Sequence, residues 1–239
     1  MKRLALALAL ALAPALVAAQ PDGAAPSSGP VPIPTSVPKG ADPGAADVAA
    51  VVAGVQAFYA DARDLKAGFT QTYTYKVYDR TQVSKGTVYF KKPGKMRWDY
   101  KTPQPKVFVA DGKTLWVYEP TENQAFKRPL ASAQLPVALT FMSGEGDLNA
   151  EFETRLLPPK DADHYLVELV PKKHAGDYQK LLLHVDRATF AVHASTVIDP
   201  VGNTNHVAFS EVATSVGLPD GGFDFVPPAG VRVITDPPK

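Results

Sequence analysis

Histidine and cysteine are the side chains that most often hold metals or act as catalysts, and here neither follows such a pattern. No two of the five histidines lie three or four residues apart, as a metal-binding pair on a helix would. Strands could bring His184 and His193 together, but strand histidines are far more often plain surface residues. Cysteine is absent, which excludes disulfides, thiolate metal sites and a thiol nucleophile. We predict no metal site and no cofactor. The five histidines are His164, His174, His184, His193 and His206.

The short motifs of nucleotide-binding proteins and hydrolases are missing as well. Gly144-Glu145-Gly146 lacks the third glycine of a dinucleotide-binding fingerprint, and no strand pattern precedes it. No G-x-S-x-G segment occurs in the chain. Basic residues number 25 and acidic residues 24, so no charge imbalance favours nucleic acid as a partner. These observations predict a protein that is not an enzyme and does not bind nucleic acid.

The first residues predict an export signal. Residues 1–3 are a short basic start, residues 4–17 are an apolar run, and small residues allow cleavage after Ala19. The run is shorter than the roughly 20 residues that span a bilayer, and Pro14 interrupts it. We expect residues 1–19 to be a signal peptide. The junction carries no cysteine, so we expect no lipid anchor there.

A linker and one β-rich domain should follow. Residues 20–45 are rich in proline, alanine and glycine, a composition typical of a disordered linker. Residues 46–239 should form a single domain that begins with a helix. Over residues 46–65, apolar side chains recur at steps of three and four, and Asp47 stands where a helix N-cap would.

After the helix, the apolar period changes from helical spacing to two. Residues 69–77 and 95–101 alternate apolar and polar side chains, and Asp111-Gly112 predicts a hairpin turn. Residues 132–143 form a short apolar stretch that fits a helix better than a strand. Further strands are predicted at 151–157, 163–170, 179–187, 190–198 and 203–213. Such a layout favours a large antiparallel sheet that curls on itself.

One side of the early strands carries a surplus of aromatic and aliphatic side chains. They would either pack as a solid core or line an apolar hollow between the helix and the sheet. Composition does not separate these two readings. The side chains are those of Phe69, Tyr73, Tyr75, Val88, Phe90, Met96, Trp98 and Tyr100.

Three short motifs follow one another in this region. F-x-Q lies at residues 69–71, G-x-x-x-F-x-x-P-G-K-x-x-W at 86–98, and D-G-x-x-x-W-x-Y-x-P at 111–120. Together they resemble the periplasmic outer-membrane lipoprotein carrier family, LolA. The order of helix, strands, apolar helix and strands extends the resemblance over most of 46–239, including the closing segment 225–231.

The resemblance implies a mainly β fold: an incomplete, half-open antiparallel β-barrel of about 11 strands, with a helical lid over an apolar cavity. It implies a monomeric periplasmic chaperone that binds the acyl chains of lipoproteins. An inner-membrane ABC lipoprotein-releasing complex would supply this cargo, and an outer-membrane lipoprotein receptor would accept it. That receptor is itself a lipoprotein, so the missing cysteine favours the carrier.

The resemblance also assigns residues to roles. Lys92 fills the place of a basic residue that holds the lid closed, where arginine is commoner; lysine lacks the planar fork of arginine, so we expect a weaker latch. The acyl-chain cavity would be lined by Phe69, Tyr73, Val88, Phe90, Met96, Trp98, Tyr100 and Trp116. The lid would be formed by Val52, Val55, Tyr59, Leu135, Leu139, Phe141 and Met142.

Three other functions remain open at this stage. A superfamily relative could act as a lipid shuttle or as an envelope-stress sensor, although such sensors usually carry a further domain for which this chain leaves no room. An exported hydrolase would need one essential polar residue, and none stands out. A structural envelope domain would have a solid apolar core and would bind nothing.

Overall fold

The computed structural model describes residues 47–130, 146–173 and 178–235. The predicted signal peptide 1–19, the linker 20–45 and the apolar stretch 132–143 lie outside these ranges. The first half comprises α1 (Val48–Asp61), β1 (Asp64–Tyr75), β2 (Arg80–Lys91), β3 (Lys95–Thr102), β4 (Lys106–Asp111), β5 (Thr114–Glu119) and β6 (Gln124–Pro129). The second comprises α2 (Leu148–Glu151), β7 (Phe152–Leu157), β8 (His164–Pro171), β9 (Lys180–Asp186), β10 (Val192–Ile198), β11 (Thr204–Thr214) and β12 (Arg232–Thr235).

Helix α1 begins where the sequence predicts and ends earlier. The Asp47 carboxylate accepts a hydrogen bond from the Ala49 N–H at 3.0 Å, which confirms the predicted N-cap. The predicted helix extended to residue 65, but the backbone is already extended at Ala62, and Asp64 and Leu65 belong to β1. The helix therefore presents a short apolar stripe, whose buried members are Val51, Val52, Val55 and Tyr59.

The strands form one open, unclosed sheet in the order β12-β6-β5-β4-β3-β2-β1-β11-β10-β9-β8-β7. Every neighbouring pair is antiparallel except β12, which runs parallel to β6. The mainly β expectation is confirmed, with twelve strands in place of about 11. The sequence reading missed β12. The helical cover is minor, because among the described residues it consists of α1 and the four-residue α2.

The sheet curls around one apolar cluster. Trp98 on β3 and Phe209 on β11 are separated by two intervening strands, which in a flat sheet is about 14 Å. Their ring centroids lie only 6.4 Å apart. The sheet face that carries this cluster is called the inner face below, and the opposite face the outer face. Buried side chains from α1, β1–β5 and β7–β11 all join the cluster.

A C-terminal strap, residues 215–231, crosses the outer face of the first half. The buried Asp64 carboxylate anchors it by accepting hydrogen bonds from the backbone N–H groups of residues 216–218, at 2.7 to 3.0 Å. Farther along, Arg97 donates to the Gly222 carbonyl at 3.1 Å, and Phe223 is buried. The strap thus shields the outer face of β3 and β4 from water.

A glycine allows strands β2 and β3 to approach under the aromatic side chains. Gly86 pairs with Tyr100 across these strands. A Cβ atom at position 86 would lie 2.1 Å from the Asp99 carbonyl oxygen and 2.7 Å from the Phe69 ring. Gly68 on β1 is different, because a Cβ there would meet chiefly the rotatable Ser210 hydroxyl, at 2.6 Å.

We therefore expect Gly86→Ala to lower the free energy of unfolding by about 1–3 kcal/mol, because backbone and a packed ring must both shift. Gly68→Ala is the matched control and should cost less than about 1 kcal/mol, since a hydroxyl can rotate away. Urea unfolding of both variants measures the difference. Equal losses would show that the close approach at Gly86 has no special role.

Candidate functional site

Six of the predicted cavity residues lie together on the inner face. Val88 pairs directly with Trp98, and Phe90 pairs with Met96, so alternation along β2 and β3 places all four side chains on the same side. Phe69 on β1 and Tyr100 on β3 extend the group. The six buried residues are Phe69, Val88, Phe90, Met96, Trp98 and Tyr100. The sequence pattern therefore identified a real contiguous apolar surface.

The rings of this surface pack mostly edge to face. Phe69 sits over Gly86, with its centroid 4.9 Å from the Trp98 ring and 4.8 Å from the Tyr100 ring. Phe90 meets Trp98 edge-on at 6.1 Å. Edge-to-face contacts are among the favourable arrangements for aromatic pairs. The aromatic side chains of this surface thus pack against one another in this structure.

Tyr73 lies at the end of this surface beside a small cleft. Its ring is 4.5 Å from the Tyr75 ring, and both are half-buried. The cleft holds about 50 Å³, against the roughly 300–1,000 Å³ of ordinary small-molecule pockets. It is lined by Gln71, Tyr73, Tyr75, Gln82, Ser84, Tyr100, Pro103, Gln104 and Lys106. The sequence analysis did not predict Gln71 and Ser84, which are both buried, as site residues. The F-x-Q motif could have indicated Gln71.

The prediction that Trp116 shares this surface is wrong. On β5, Leu115 and Val117 join the inner cluster, so Trp116 points to the outer face. Its ring lies 5.4 Å from Phe225 of the C-terminal strap, and the Lys127 ammonium lies 5.3 Å from its centroid. Apolar side chains occupy both faces of this strand, so alternation alone could not tell which face is inner. Trp116 therefore anchors the strap.

Three predicted lid residues, Val52, Val55 and Tyr59, are buried on the inner side of α1. The Tyr59 hydroxyl accepts a hydrogen bond from the Val192 N–H at 3.1 Å. Burial raises the pKa of Tyr59 above its ordinary value, so the hydroxyl stays protonated. This bond joins α1 to β10 in the second half of the sheet. The other four, Leu135, Leu139, Phe141 and Met142, lie outside the described residues.

Lys92, the predicted latch, contacts α1 directly. Its ammonium donates a 2.5 Å hydrogen bond to the carbonyl oxygen of Ala60, in the last turn of the helix. A cation at this position also meets the negative end of the helix dipole. The residue therefore lies where it can hold the C-terminal end of α1 against the edge of β2.

Four histidines lie on the adjacent strands β8–β11, in pairs that the sequence did not suggest. The rings of His164 and His193 are 4.9 Å apart, and those of His184 and His206 are 6.2 Å apart. Burial, followed by the charge of Lys160 and the neighbouring histidines, lowers the pKa of both His184 and His206. Their neutral forms are therefore favoured in the folded protein.

Comparisons with known proteins agree with the motifs. The family described as "Outer membrane lipoprotein carrier protein LolA" matches residues 60–226. An outer-membrane lipoprotein carrier protein of Methylibium petroleiphilum is 30% identical over 180 residues, covering 75% of this chain and 87% of that protein. An outer-membrane lipoprotein carrier protein of Methylococcus capsulatus is 30% identical over 182 residues, covering 76% of this chain and 86% of that protein.

Among solved structures, an uncharacterised conserved protein from Thermus thermophilus superposes with a TM-score of 0.50 at 12% identity. The alignment covers 78% of this chain and 97% of that one, which supports the fold alone. Within the described ranges, no helix combines the length and the apolar character needed to cross a membrane.

We expect the free energy of unfolding to fall as the pH is lowered from 7.5 to 5.5. His184 and His206 have folded pKa values below the unfolded value of about 6.5. Between pH 7.5 and 5.5, these histidines therefore bind protons more readily in the unfolded chain than in the folded protein. As the pH falls, the free energy of unfolding therefore decreases from its value at high pH. Urea midpoints measure the slope. The double variant His184→Gln, His206→Gln should flatten this slope. An unchanged slope in the double variant would contradict the assignment.

Proposed function

Because the chain belongs to the LolA family of outer-membrane lipoprotein carrier proteins, we propose that it is a periplasmic chaperone for acylated lipoproteins. It binds the acyl chains of lipoproteins released from the inner membrane and carries them to an outer-membrane receptor. The observation that carries this proposal is the family match over residues 60–226, which includes the strands of the inner-face aromatic cluster. At the family level the role is that of a carrier and not of an enzyme.

The energetics of the cargo explain why such a protein needs a covered apolar surface. Each methylene buried in a membrane contributes about 0.8 kcal/mol, so one chain of about 15 methylenes contributes about 12 kcal/mol. A carrier must therefore keep the chains away from water throughout the transfer. The inner face offers aromatic, aliphatic and methionine side chains for this purpose, and methionine adapts readily to flexible ligands.

Loading requires the inner face to be uncovered first. The cleft beside Tyr73 is far smaller than an acyl chain, and buried side chains of α1 belong to the inner-face cluster. We infer that α1 moves away from the sheet during loading and that Lys92 helps to hold it closed in the unloaded protein. The six buried inner-face residues and Tyr73 would then contact the chains, with the segment around Leu135, Leu139, Phe141 and Met142 as a second part of the lid.

The remaining parts of the proposal concern location and partners. Residues 1–19 would direct export, residues 20–45 would form a linker, and residues 46–239 would be the carrier domain. An inner-membrane ABC lipoprotein-releasing complex would deliver the cargo to the monomeric protein. A receptor at the outer membrane would accept it by binding the same chains more tightly.

We expect native mass spectrometry to detect a one-to-one complex when this protein is produced in the periplasm with a tagged lipoprotein. The same lipoprotein without its acylated cysteine is the matched control, and it should not bind because the chains supply the binding free energy. Free lipids bound in place of the lipoprotein would favour a lipid shuttle. Binding of neither would leave the inner face as a solid core.

A disulfide can test whether α1 must move. The natural chain has no cysteine, and a Cβ at position 54 would lie 2.6 Å from the Cγ atom of Phe190. The two Cβ atoms are thus within about 4 Å, which suits a disulfide. The Gly54→Cys, Phe190→Cys protein should load acylated lipoprotein when reduced and fail to load when oxidised. Equal loading in both states would show that chains enter without movement of α1; the reduced sample is its own control for folding.

A further inference from the structure

The cleft at the end of the inner face contains a buried hydroxyl group that has no hydrogen-bond partner in the described part of the chain. Tyr100 is 6% exposed, and its oxygen has no hydrogen-bond partner among the residues that the structure describes. Burial raises its pKa, against a smaller opposing effect of the Gln71 side chain, so the group stays a protonated donor. An unpaired buried hydroxyl destabilises a fold, and it therefore calls for a physical explanation.

The neighbouring polar groups do not supply the missing partner. The Gln71 amide lies close to Tyr100, but no hydrogen bond of ordinary geometry joins them, and its Nε2 donates to the Asn205 side chain at 2.9 Å. Trp98, whose indole N–H is also unpaired, does not line the cleft. Among the described residues that line the cleft, the Tyr100 hydroxyl is thus the buried donor that lacks a hydrogen bond of ordinary geometry.

The charges around the cleft favour a neutral ligand group. Lys106 is the charged side chain among the lining residues, and it forms an ion pair with Glu119 on β5. Burial opposes ionisation of Glu119, yet hydrogen bonds from Lys106 and Gln124 lower the pKa of its carboxyl group overall. The lysine charge is therefore already compensated, and an anionic headgroup would gain little there.

The position of the cleft matches a polar group that is attached to an apolar one. On one side, the centroid of the Tyr100 ring lies 4.8 Å from that of Phe69 and 5.7 Å from that of Phe108, within the inner-face cluster. On the other side are the tyrosine, glutamine and serine side chains of the cleft. A volume of about 50 Å³ accommodates a small polar group and no hydrocarbon chain.

We propose that this cleft binds the neutral ester linkage of an acylated glyceryl group, with the Tyr100 hydroxyl donating a hydrogen bond to an ester carbonyl oxygen. The attached chains then extend from the cleft along the inner face. The inference rests on the proposed function and adds a residue that distinguishes ester-linked from ether-linked lipid. A carbonyl oxygen would be an acceptor of a kind that the described protein groups do not offer to this hydroxyl.

Two synthetic lipopeptides test this assignment. Both carry an N-terminal cysteine with a thioether-linked glyceryl group; one has two octanoyl ester chains, and its twin has two octyl ether chains without carbonyl groups. Dissociation constants are measured by titration calorimetry for the wild-type protein, for Tyr100→Phe and for Tyr118→Phe. Tyr118 is the matched control because its ring packs on Phe225, on the outer face.

The wild-type protein and Tyr118→Phe should bind the ester about two- to tenfold more tightly than the ether, as expected for one hydrogen bond. Tyr100→Phe should bind both equally, at the affinity of the ether. Its urea midpoint should not fall, because the substitution removes a hydroxyl that no described protein group pairs with.

Four results would overturn the inference. A preference for ester that survives in Tyr100→Phe, or its absence in the wild type, would overturn the inference alone. A clear loss of stability in Tyr100→Phe would show that the hydroxyl is already paired in the unloaded protein. Failure of the wild type to bind either lipopeptide would overturn both this inference and the proposed function.

Discussion

The structure depends on covering an apolar sheet face that is much wider than α1, the longer of the two α-helices in the described part of the chain. Twelve strands extend over about 53 Å, whereas the 14 residues of α1 are about 21 Å long. The helix alone cannot exclude water from this face. Curvature reduces the area left to cover, because it brings side chains from distant strands, such as Trp98 and Phe209, into contact with one another.

The same constraint links stability to the proposed carrier role. The surfaces that α1 and the curved sheet hide from water are those that an acyl chain would need. Unloaded and loaded states would then compete for one set of apolar contacts, so that neither is favoured overwhelmingly. Polar contacts at the edge of this surface, such as those of Lys92 with α1 and Tyr59 with β10, add small increments that can shift the balance.

The sequence predicted the inner face of β1–β3 well because apolar and polar side chains alternate there. It failed at Trp116, where both faces of β5 are apolar, the inner one facing the cluster and the outer one the strap. It also missed β12, a four-residue strand stabilised by parallel pairing with β6. The histidine pairs and the unpaired Tyr100 hydroxyl depend on cross-strand geometry, including a register shift at His193, that no local pattern encodes.

The pairing of β1 with β11 has a consequence for how the chain folds. Strands β1–β6 and β7–β11 are two runs of neighbouring antiparallel strands, whose contacts are local in sequence. Within the sheet, the seam between β1 and β11 unites these two runs, with partners such as Phe69 and Phe209 far apart in the chain. Closing so long a loop is entropically costly and slow. Each half should therefore form early, and their docking along this seam should set the folding rate.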